Sequence, residues 1–189
     1  MDINFLFFEN LETLDIFGPI EILARIDNAN LHYVSLQGGL VQSRQGYFVE
    51  TEDLSQINPD GIFVIPGGHG TRALVNDEHF LTELKTLCQN AEYVLSICTG
   101  SALLAKAGVL DGRKATSNKK AFEWVKSLSE NVNWIPQARW TVDGKYYTSA
   151  GVSAGMDMAL GFVSDIFGKE KAHQIASDIE YTWNSDMNQ

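Results

Sequence analysis

Short apolar runs alternate with longer segments of helical periodicity along most of the chain. Residues 3–8 form an apolar, aromatic run typical of a buried strand, and residues 14–26 carry apolar side chains at helical spacing. Pro19 falls in this second segment, and proline is tolerated in the first turn of a helix. The pattern therefore predicts a strand followed by a helix that starts close to Gly18 and Pro19.

The same alternation continues to the end of the chain. An apolar run at 61–65, closed by a Pro-Gly-Gly turn, indicates a central parallel strand. Asp143-Gly144 suits a two-residue hairpin turn between strands 139–142 and 145–148. The other predicted strands are 31–36, 47–51 (paired with the segment near Val41) and 93–97, and the other predicted helices are 78–89, 102–107, 119–128 and two that begin near Ser153 and Glu170. Strands alternating with helices predict an α/β fold, a three-layer sandwich around a mostly parallel sheet.

Length and charge narrow the class of protein. The chain has 189 residues, which predicts one domain over 1–189, and its formal net charge is −10. Basic residues are not concentrated anywhere, so we expect no nucleic-acid partner. The longest uncharged apolar stretch, residues 93–105, is too short to cross a bilayer, so we expect no membrane partner. Two cysteines and a start without the positive region of a secretory signal favour a reducing, cytoplasmic location.

Residues 96–100 (Ser-Ile-Cys-Thr-Gly) give the strongest chemical signal. A predicted strand leads in, a predicted helix leads out, and small residues lie two before and two after Cys98. This is the pattern of a nucleophile elbow, a turn so tight that bulky flanking side chains would clash. The turn directs the sulfur towards the N-terminus of the next helix, so we expect a lowered thiol pKa and Cys98 as the nucleophile. Cys88, in an amphipathic helix, is expected to be a buried structural thiol.

A glycine-rich turn follows the strand at 61–65 and is expected at the same edge of the sheet as the elbow. Its glycines let successive N–H groups converge on an anion. We expect the N–H groups of Gly68 and Thr99 to flank negative charge that develops on a substrate. The alternative is a turn that needs glycine for its geometry alone. His69 lies at the edge of this site, either as a pocket residue or as a solvated loop side chain.

Asp15 supplies a carboxyl group just after the first strand. Its apolar neighbours favour a raised pKa, and a carboxyl group of that kind transfers protons near neutral pH. An acid just before a helix start is explained equally well as an N-cap. Glu21 is the alternative carboxylate for the proton-transfer role.

The sequence predicts no metal site. The four histidines are scattered, and the ligand spacings typical of zinc sites are absent. The glycine motifs that bind nucleotide phosphates and dinucleotides are absent as well.

Taken together, the motifs resemble the ThiJ/PfpI superfamily, which is related to class I glutamine amidotransferases, over nearly the full length of the chain. Within it, the resemblance is closest to isonitrile hydratases and to the amidase-like domains of AraC-type regulators. It implies a flavodoxin-like fold, a homodimer, a cysteine nucleophile, a small-molecule substrate and no cofactor. The motifs that carry the resemblance are residues 14–19, 65–68, 96–100, 107–112, 115–116, 138–140 and 148–157.

The match to isonitrile hydratases implies catalytic roles for Asp15, Cys98 and Thr99. It also implies the reaction, hydration of an isonitrile to an N-substituted formamide through a Cys98 thioimidate. Many relatives carry a histidine after their Ala-Thr-Thr stretch, where this chain has Asn118, so Asn118 is a candidate pocket residue and Cys–His hydrolysis lacks its base. Two alternatives remain: a glyoxalase-like enzyme that acts on aldehydes, and a non-catalytic sensor in which Cys98 is oxidised reversibly.

Overall fold

The protein is represented by a computed structural model that describes residues 1–188, and an eight-stranded sheet runs through its centre. The strands of this sheet are β1 (Asp2–Leu6), β2 (Asn30–Ser35), β3 (Gly39–Gln42), β4 (Phe48–Asp53), β5 (Ile62–Ile65), β6 (Tyr93–Ser96), β9 (Trp140–Asp143) and β10 (Tyr146–Ser149). Two short strands, β7 (Lys114–Ala115) and β8 (Asn133–Trp134), form a separate parallel pair.

The strand order is β3-β4-β2-β1-β5-β6-β10-β9. The six inner strands pair in parallel, and β3 and β9 close the two edges as antiparallel hairpin partners. All four residues of β5 are buried, as expected for a central strand covered on both faces.

Seven α-helices cover the sheet in the described part of the chain. They are α1 (Thr13–Leu23), α2 (Thr71–Leu74), α3 (Glu78–Asn90), α4 (Gly100–Lys106), α5 (Phe122–Lys126), α6 (Ala154–Phe167) and α7 (Lys169–Asp178). Helix α6 contacts α1 and α7, and α4 contacts α2, α3 and α5. This is the flavodoxin-like α/β sandwich with a mostly parallel sheet that the sequence predicts.

Helix α1 starts earlier than the sequence predicts. It begins at Thr13, so Pro19 lies inside the helix rather than in its first turn. Packing explains this: a Cβ at Gly18 would lie 2.7 Å from Cγ of Met156, which shows that α1 runs in close contact with α6. The tertiary contact outweighs the local preference of proline for a helix start.

Other differences are local. The predicted helix 119–128 is a 3₁₀ turn, Lys119–Ala121, followed by α5, and the sequence reading missed α2 and the small β7–β8 pair. In the β9–β10 hairpin, Tyr146 pairs with Asp143, so the loop is Gly144-Lys145 and lies one residue later than predicted. Gly144 has φ 60°, a conformation that glycine adopts without strain. Within residues 1–188, no helix has the length and apolar character needed to span a membrane.

Candidate active site

The candidate residues come together at the carboxyl edge of the parallel strands. Cys98 follows β6, Gly67 follows β5, and Asp15 lies in the first turn of α1, the helix after β1. The chain before α1 is fixed to the glycine turn, because the Glu12 N–H donates to the Gly67 carbonyl at 2.9 Å. Sites of open parallel sheets form at this edge.

Cys98 occupies a strained turn between β6 and α4. Its φ is 56°, a left-handed conformation that is uncommon for residues other than glycine. Its N–H faces the carbonyls of Ser149 and Ala150, both at 3.2 Å, and its own carbonyl accepts from the hydroxyls of Ser101 and Ser117 at 3.1 and 2.8 Å. The Cys98 N–H and carbonyl are thus both held by neighbouring segments. The turn between β6 and α4 is the elbow that the sequence predicts.

The small residue two after Cys98 is required by close packing. A Cβ at Gly100 would lie 2.6 Å from the carbonyl oxygen of Ile65, the last residue of β5. Ser96, two before Cys98, is fully buried. The flanking pattern of the elbow therefore follows from the tight approach of this turn to the neighbouring strand.

Asp15 lies beside the glycine turn and the elbow, and it does not cap a helix. The N-cap of α1 is Glu12, three residues earlier, so the N-cap interpretation of Asp15 is wrong. The carboxyl group is fully buried, and Oδ2 accepts a hydrogen bond from the Gly67 N–H at 2.9 Å. Its second oxygen, Oδ1, is buried without a hydrogen-bond partner among residues 1–188.

Glu21 does not belong to this site. Its side chain is 55% exposed and forms an ion pair with Arg25 at 2.6 Å on the solvent side of α1. Of the two carboxylates that the sequence offers on this helix, the structure brings Asp15 to Cys98 and leaves Glu21 at the surface.

Burial raises the pKa of Asp15 to about 7, the direction that its apolar neighbours predict. Hydrogen bonds from the Gly67 N–H and from the Cys98 thiol act in the opposite direction and lower the pKa, but burial outweighs them. Asp15 is therefore a carboxyl group that gains and loses its proton near neutral pH.

The expectation of a lowered pKa at Cys98 is wrong. Burial, followed by the nearby charge of Asp15, raises the pKa of the thiol to about 12, although the Thr99 N–H and Asn118 act in the opposite direction. Helix α4 has seven residues, and the dipole at its N-terminus does not outweigh the loss of hydration. The resting site therefore holds a protonated thiol beside a carboxyl group that titrates near pH 7. Cys88 is fully buried, and burial raises the pKa of its thiol too.

The anticipated pairing of the Gly68 and Thr99 N–H groups as an anion nest does not hold in this structure. The Gly68 N–H already donates to Thr99 Oγ1 at 3.0 Å, and Thr71 Oγ1 lies 3.1 Å from the same oxygen. The Thr99 N–H acts on the Cys98 sulfur instead. Thr99 therefore joins the glycine turn to the elbow through its hydroxyl and contacts the thiol through its backbone.

A cleft of about 320 Å³ opens above Cys98. His69 and Asn118 both line it. His69 is also exposed, so it is at once a pocket residue and a solvated loop side chain. Asn118 Oδ1 accepts from the N–H of Lys120 at 2.9 Å, which orients the amide. The other residues lining the cleft are Glu12, Arg44, Gly68, Arg72, Cys98, Thr99, Lys120, Ala121 and Val152.

Sequence reasoning missed Val152, which lines the same cleft. Val152 has φ 50°, a strained conformation for a β-branched residue, and its backbone N–H lowers the pKa of Asp15. A valine in a Ser-Ala-Gly-Val stretch carries no local signal for such a backbone. The preceding Gly151 leaves room for the Asn118 amide, since a Cβ there would lie 2.2 Å from Asn118 Nδ2.

The described residues offer no metal centre. Within residues 1–188, no group of three or more histidine, cysteine, aspartate or glutamate side chains is placed to hold a metal ion.

Replacing Asp15 by asparagine should change how stability depends on pH. The folded-state pKa of about 7 lies above the ordinary value of 3.8, so the folded state binds the extra proton and its stabilising effect is lost as pH rises towards and through 7. At about 1.4 kcal/mol per pKa unit, the cost of ionising Asp15 reaches a few kcal/mol. We expect the unfolding free energy of Asp15→Asn, relative to the parent, to increase between pH 5 and pH 8. Urea unfolding at both pH values measures this, and a pH-independent difference would contradict the raised pKa.

Comparison with known proteins defines the class of this fold and site. The DJ-1/PfpI family profile matches residues 1–165, and the chain belongs to the DJ-1/PfpI family. A ThiJ/PfpI family protein from Pseudomonas syringae, solved by crystallography, superposes with a TM-score of 0.88 at 28% identity, covering 97% of this chain and 76% of that one.

Characterised members of the family differ in activity. The chain is 31% identical to isonitrile hydratase from Pseudomonas putida, over 96% of this chain and 78% of that protein. It is 28% identical to a deglycase from Thermococcus kodakarensis, over 75% of this chain and 84% of that protein. HTH-type transcriptional regulators of Pseudomonas aeruginosa are also similar, and the chain spans about half of their length. The family therefore includes enzymes and regulators.

Proposed function

We propose that the protein is a cysteine-dependent enzyme that adds water to an isonitrile, R–NC, and releases an N-substituted formamide. The observation that carries this proposal is the buried pair of Asp15 and Cys98, a carboxyl group that titrates near pH 7 beside a thiol that stays protonated. The similarity to isonitrile hydratase from Pseudomonas putida supports the choice of substrate class.

The first half-reaction adds the thiol across the terminal carbon of the isonitrile. Ionised Asp15 takes the proton from the Cys98 sulfur, the S–C bond forms, and Asp15 passes the proton to the same carbon. The product is a thioimidate, R–N=CH–S–Cys98, and Asp15 is again ionised. A carbon that accepts both a nucleophile and a proton suits a thiol and a carboxyl group buried in one site.

The second half-reaction uses the same carboxylate as a base. Asp15 takes a proton from water while the water oxygen bonds to the thioimidate carbon, and it passes this proton to the imine nitrogen. The C–S bond then breaks, Asp15 transfers the hydroxyl proton of the adduct to the Cys98 sulfur, and the formamide leaves. Both steps route their proton through Asp15, so no histidine base is needed, in agreement with Asn118 in the cleft.

The raised pKa of Cys98 changes the sequence-based mechanism in one respect. A free thiolate does not persist in the resting site, because the thiol pKa is about 12. Proton transfer to Asp15 therefore accompanies the attack of the sulfur on carbon, and the Thr99 N–H and Asn118 stabilise the negative charge that develops on the sulfur.

The test is to incubate the protein with an isonitrile labelled with ¹³C at the terminal carbon and to follow the carbon by NMR. We expect conversion to the formamide carbon, with cyclic or aliphatic R. No formamide from either kind of isonitrile would overturn the proposal.

The reaction should depend on pH through Asp15. The active form holds one proton on the pair, with Asp15 ionised and the Cys98 thiol protonated, and this form appears as pH rises through about 7. We therefore expect kcat/KM to rise with pH with an apparent pKa near 7 and then to reach a plateau. A rate that falls through the same range would show that protonated Asp15 is the active form in the free enzyme.

The relationship to deglycases favours a second candidate, an enzyme that acts on an aldehyde or dicarbonyl compound with the same thiol. Turnover of methylglyoxal to lactate, with isonitriles left unchanged, would favour this candidate. The raised thiol pKa gives less support to a redox sensor, because oxidation of cysteine proceeds through the thiolate.

A further inference from the structure

We propose that the cleft above Cys98 selects a substrate that carries a negatively charged group, so that under the proposed function the enzyme acts on an anionic isonitrile. The charge on the walls of the cleft carries this inference. Three cationic residues line it, Arg44, Arg72 and Lys120, together with one acidic residue, Glu12.

This distribution is the reverse of that in the chain as a whole. The sequence has 24 acidic and 14 basic residues, so acids outnumber bases, whereas at the mouth of this cleft cations outnumber carboxylates. The net charge of the chain repels anions, whereas the cations that line this cleft attract them. A local field of this kind raises the concentration of oppositely charged substrate.

Two of the cations are available to a ligand. Arg72 and Lys120 have no carboxylate within 4 Å among residues 1–188. The guanidinium of Arg72 lies 4.4 Å from the centre of the Trp124 ring, which supports it without neutralising its charge. Arg44, by contrast, is paired with Glu12 at 3.3 Å.

The cations Arg72 and Lys120 are more exposed than the reacting pair. Both are exposed, whereas Cys98, which also lines the cleft, is 6% exposed and Asp15 is fully buried. A substrate that bridges these two levels has its isonitrile carbon at the sulfur and its anionic group some atoms away. The anionic group that binds the exposed cations is therefore a different part of the substrate from the reacting isonitrile carbon.

The first experiment depends on the proposed function. It compares kcat/KM for an isonitrile with a terminal carboxylate and for its neutral primary amide. We expect the carboxylate to be preferred at low ionic strength, with the preference falling as salt screens the exposed cations. We expect Arg72→Gln and Lys120→Gln each to lower the ratio by about two- to fivefold, the size of an exposed charge pair.

The second experiment tests the cleft without any assumption about the reaction. Iodoacetate and iodoacetamide both alkylate Cys98, forming an S–C bond with release of iodide and the thiol proton, and they differ in charge. We expect the ratio of their rates to be higher for the protein than for free cysteine, and to fall in the double variant Arg72→Gln/Lys120→Gln. Arg25→Gln, which removes one positive charge two residues beyond the end of α1, is the matched control for each of the single variants Arg72→Gln and Lys120→Gln.

The two experiments separate the two claims. The anion site would be supported and the proposed reaction overturned by the following pair of results. The parent prefers iodoacetate and the double variant does not, and no isonitrile yields a formamide. Formamide formation with equal kcat/KM for the carboxylate and the amide, and equal alkylation ratios in the parent and double variant, would sustain the reaction and overturn the anion site. An alkylation ratio that falls as much in Arg25→Gln as in the single variants Arg72→Gln and Lys120→Gln would also overturn the anion site.

Discussion

Cys98→Ala is expected to abolish isonitrile turnover. Without the sulfur, the terminal carbon has no nucleophile positioned at the end of β6, and loss of a covalent nucleophile costs on the order of 10⁴–10⁶ in rate. Alanine meets the same backbone strain at φ 56° as cysteine does, so the fold should persist. The measurement is the initial rate of formamide release, together with the melting temperature.

Cys88→Ala is the matched control for that experiment. Cys88 is buried in α3, away from the cleft, so its removal leaves a small cavity and lowers stability by about 1 kcal/mol without changing turnover. If turnover survived in Cys98→Ala, or were lost in Cys88→Ala, Cys98 would not be the nucleophile.

Asp15→Asn is expected to lower turnover by about 10²–10⁴, the usual contribution of a positioned proton-transfer group. Asparagine keeps the shape of the side chain and can still accept a hydrogen bond from Gly67, but it cannot carry the proton from sulfur to carbon or take one from water. Both half-reactions should therefore slow. The melting temperature should not fall at neutral pH, because the buried negative charge has been removed.

Two further variants define the requirement at this position. Asp15→Glu should also be impaired, since the extra methylene displaces the carboxyl group by roughly 1 Å in a site that fixes it against Gly67. Glu21→Gln changes the exposed carboxylate on the same helix and should keep its activity. Full activity in Asp15→Asn with loss in Glu21→Gln would identify the other carboxylate as the acid and base.

Features that depend on local sequence were predictable. The elbow at Cys98 follows from small residues in fixed positions around a strand end, and the sheet follows from apolar runs separated by helical segments. The place of Asp15 after β1 makes it a candidate, but the sequence alone does not separate proton transfer from helix capping, and the helix start at Thr13 does.

Features that depend on distant parts of the chain were not predictable. The pKa of Cys98 is set by burial and by Asp15, 83 positions away in the sequence, and the local helix-dipole argument therefore gave the wrong direction. The Gly68 N–H donates to the Thr99 hydroxyl, a contact between two separate turns. Arg72 and Lys120 come from distant segments of the chain, and the fold places both on the same cleft.

The most direct test of the central claim is mass spectrometry of the protein quenched during turnover of an isonitrile. Addition of the thiol to the terminal carbon releases no leaving group. The account therefore predicts a protein population heavier by the full mass of one substrate, with the added mass on the peptide that contains Cys98. Substrate bound covalently at another residue, or Cys98 unmodified throughout a first turnover that yields formamide, would contradict the account.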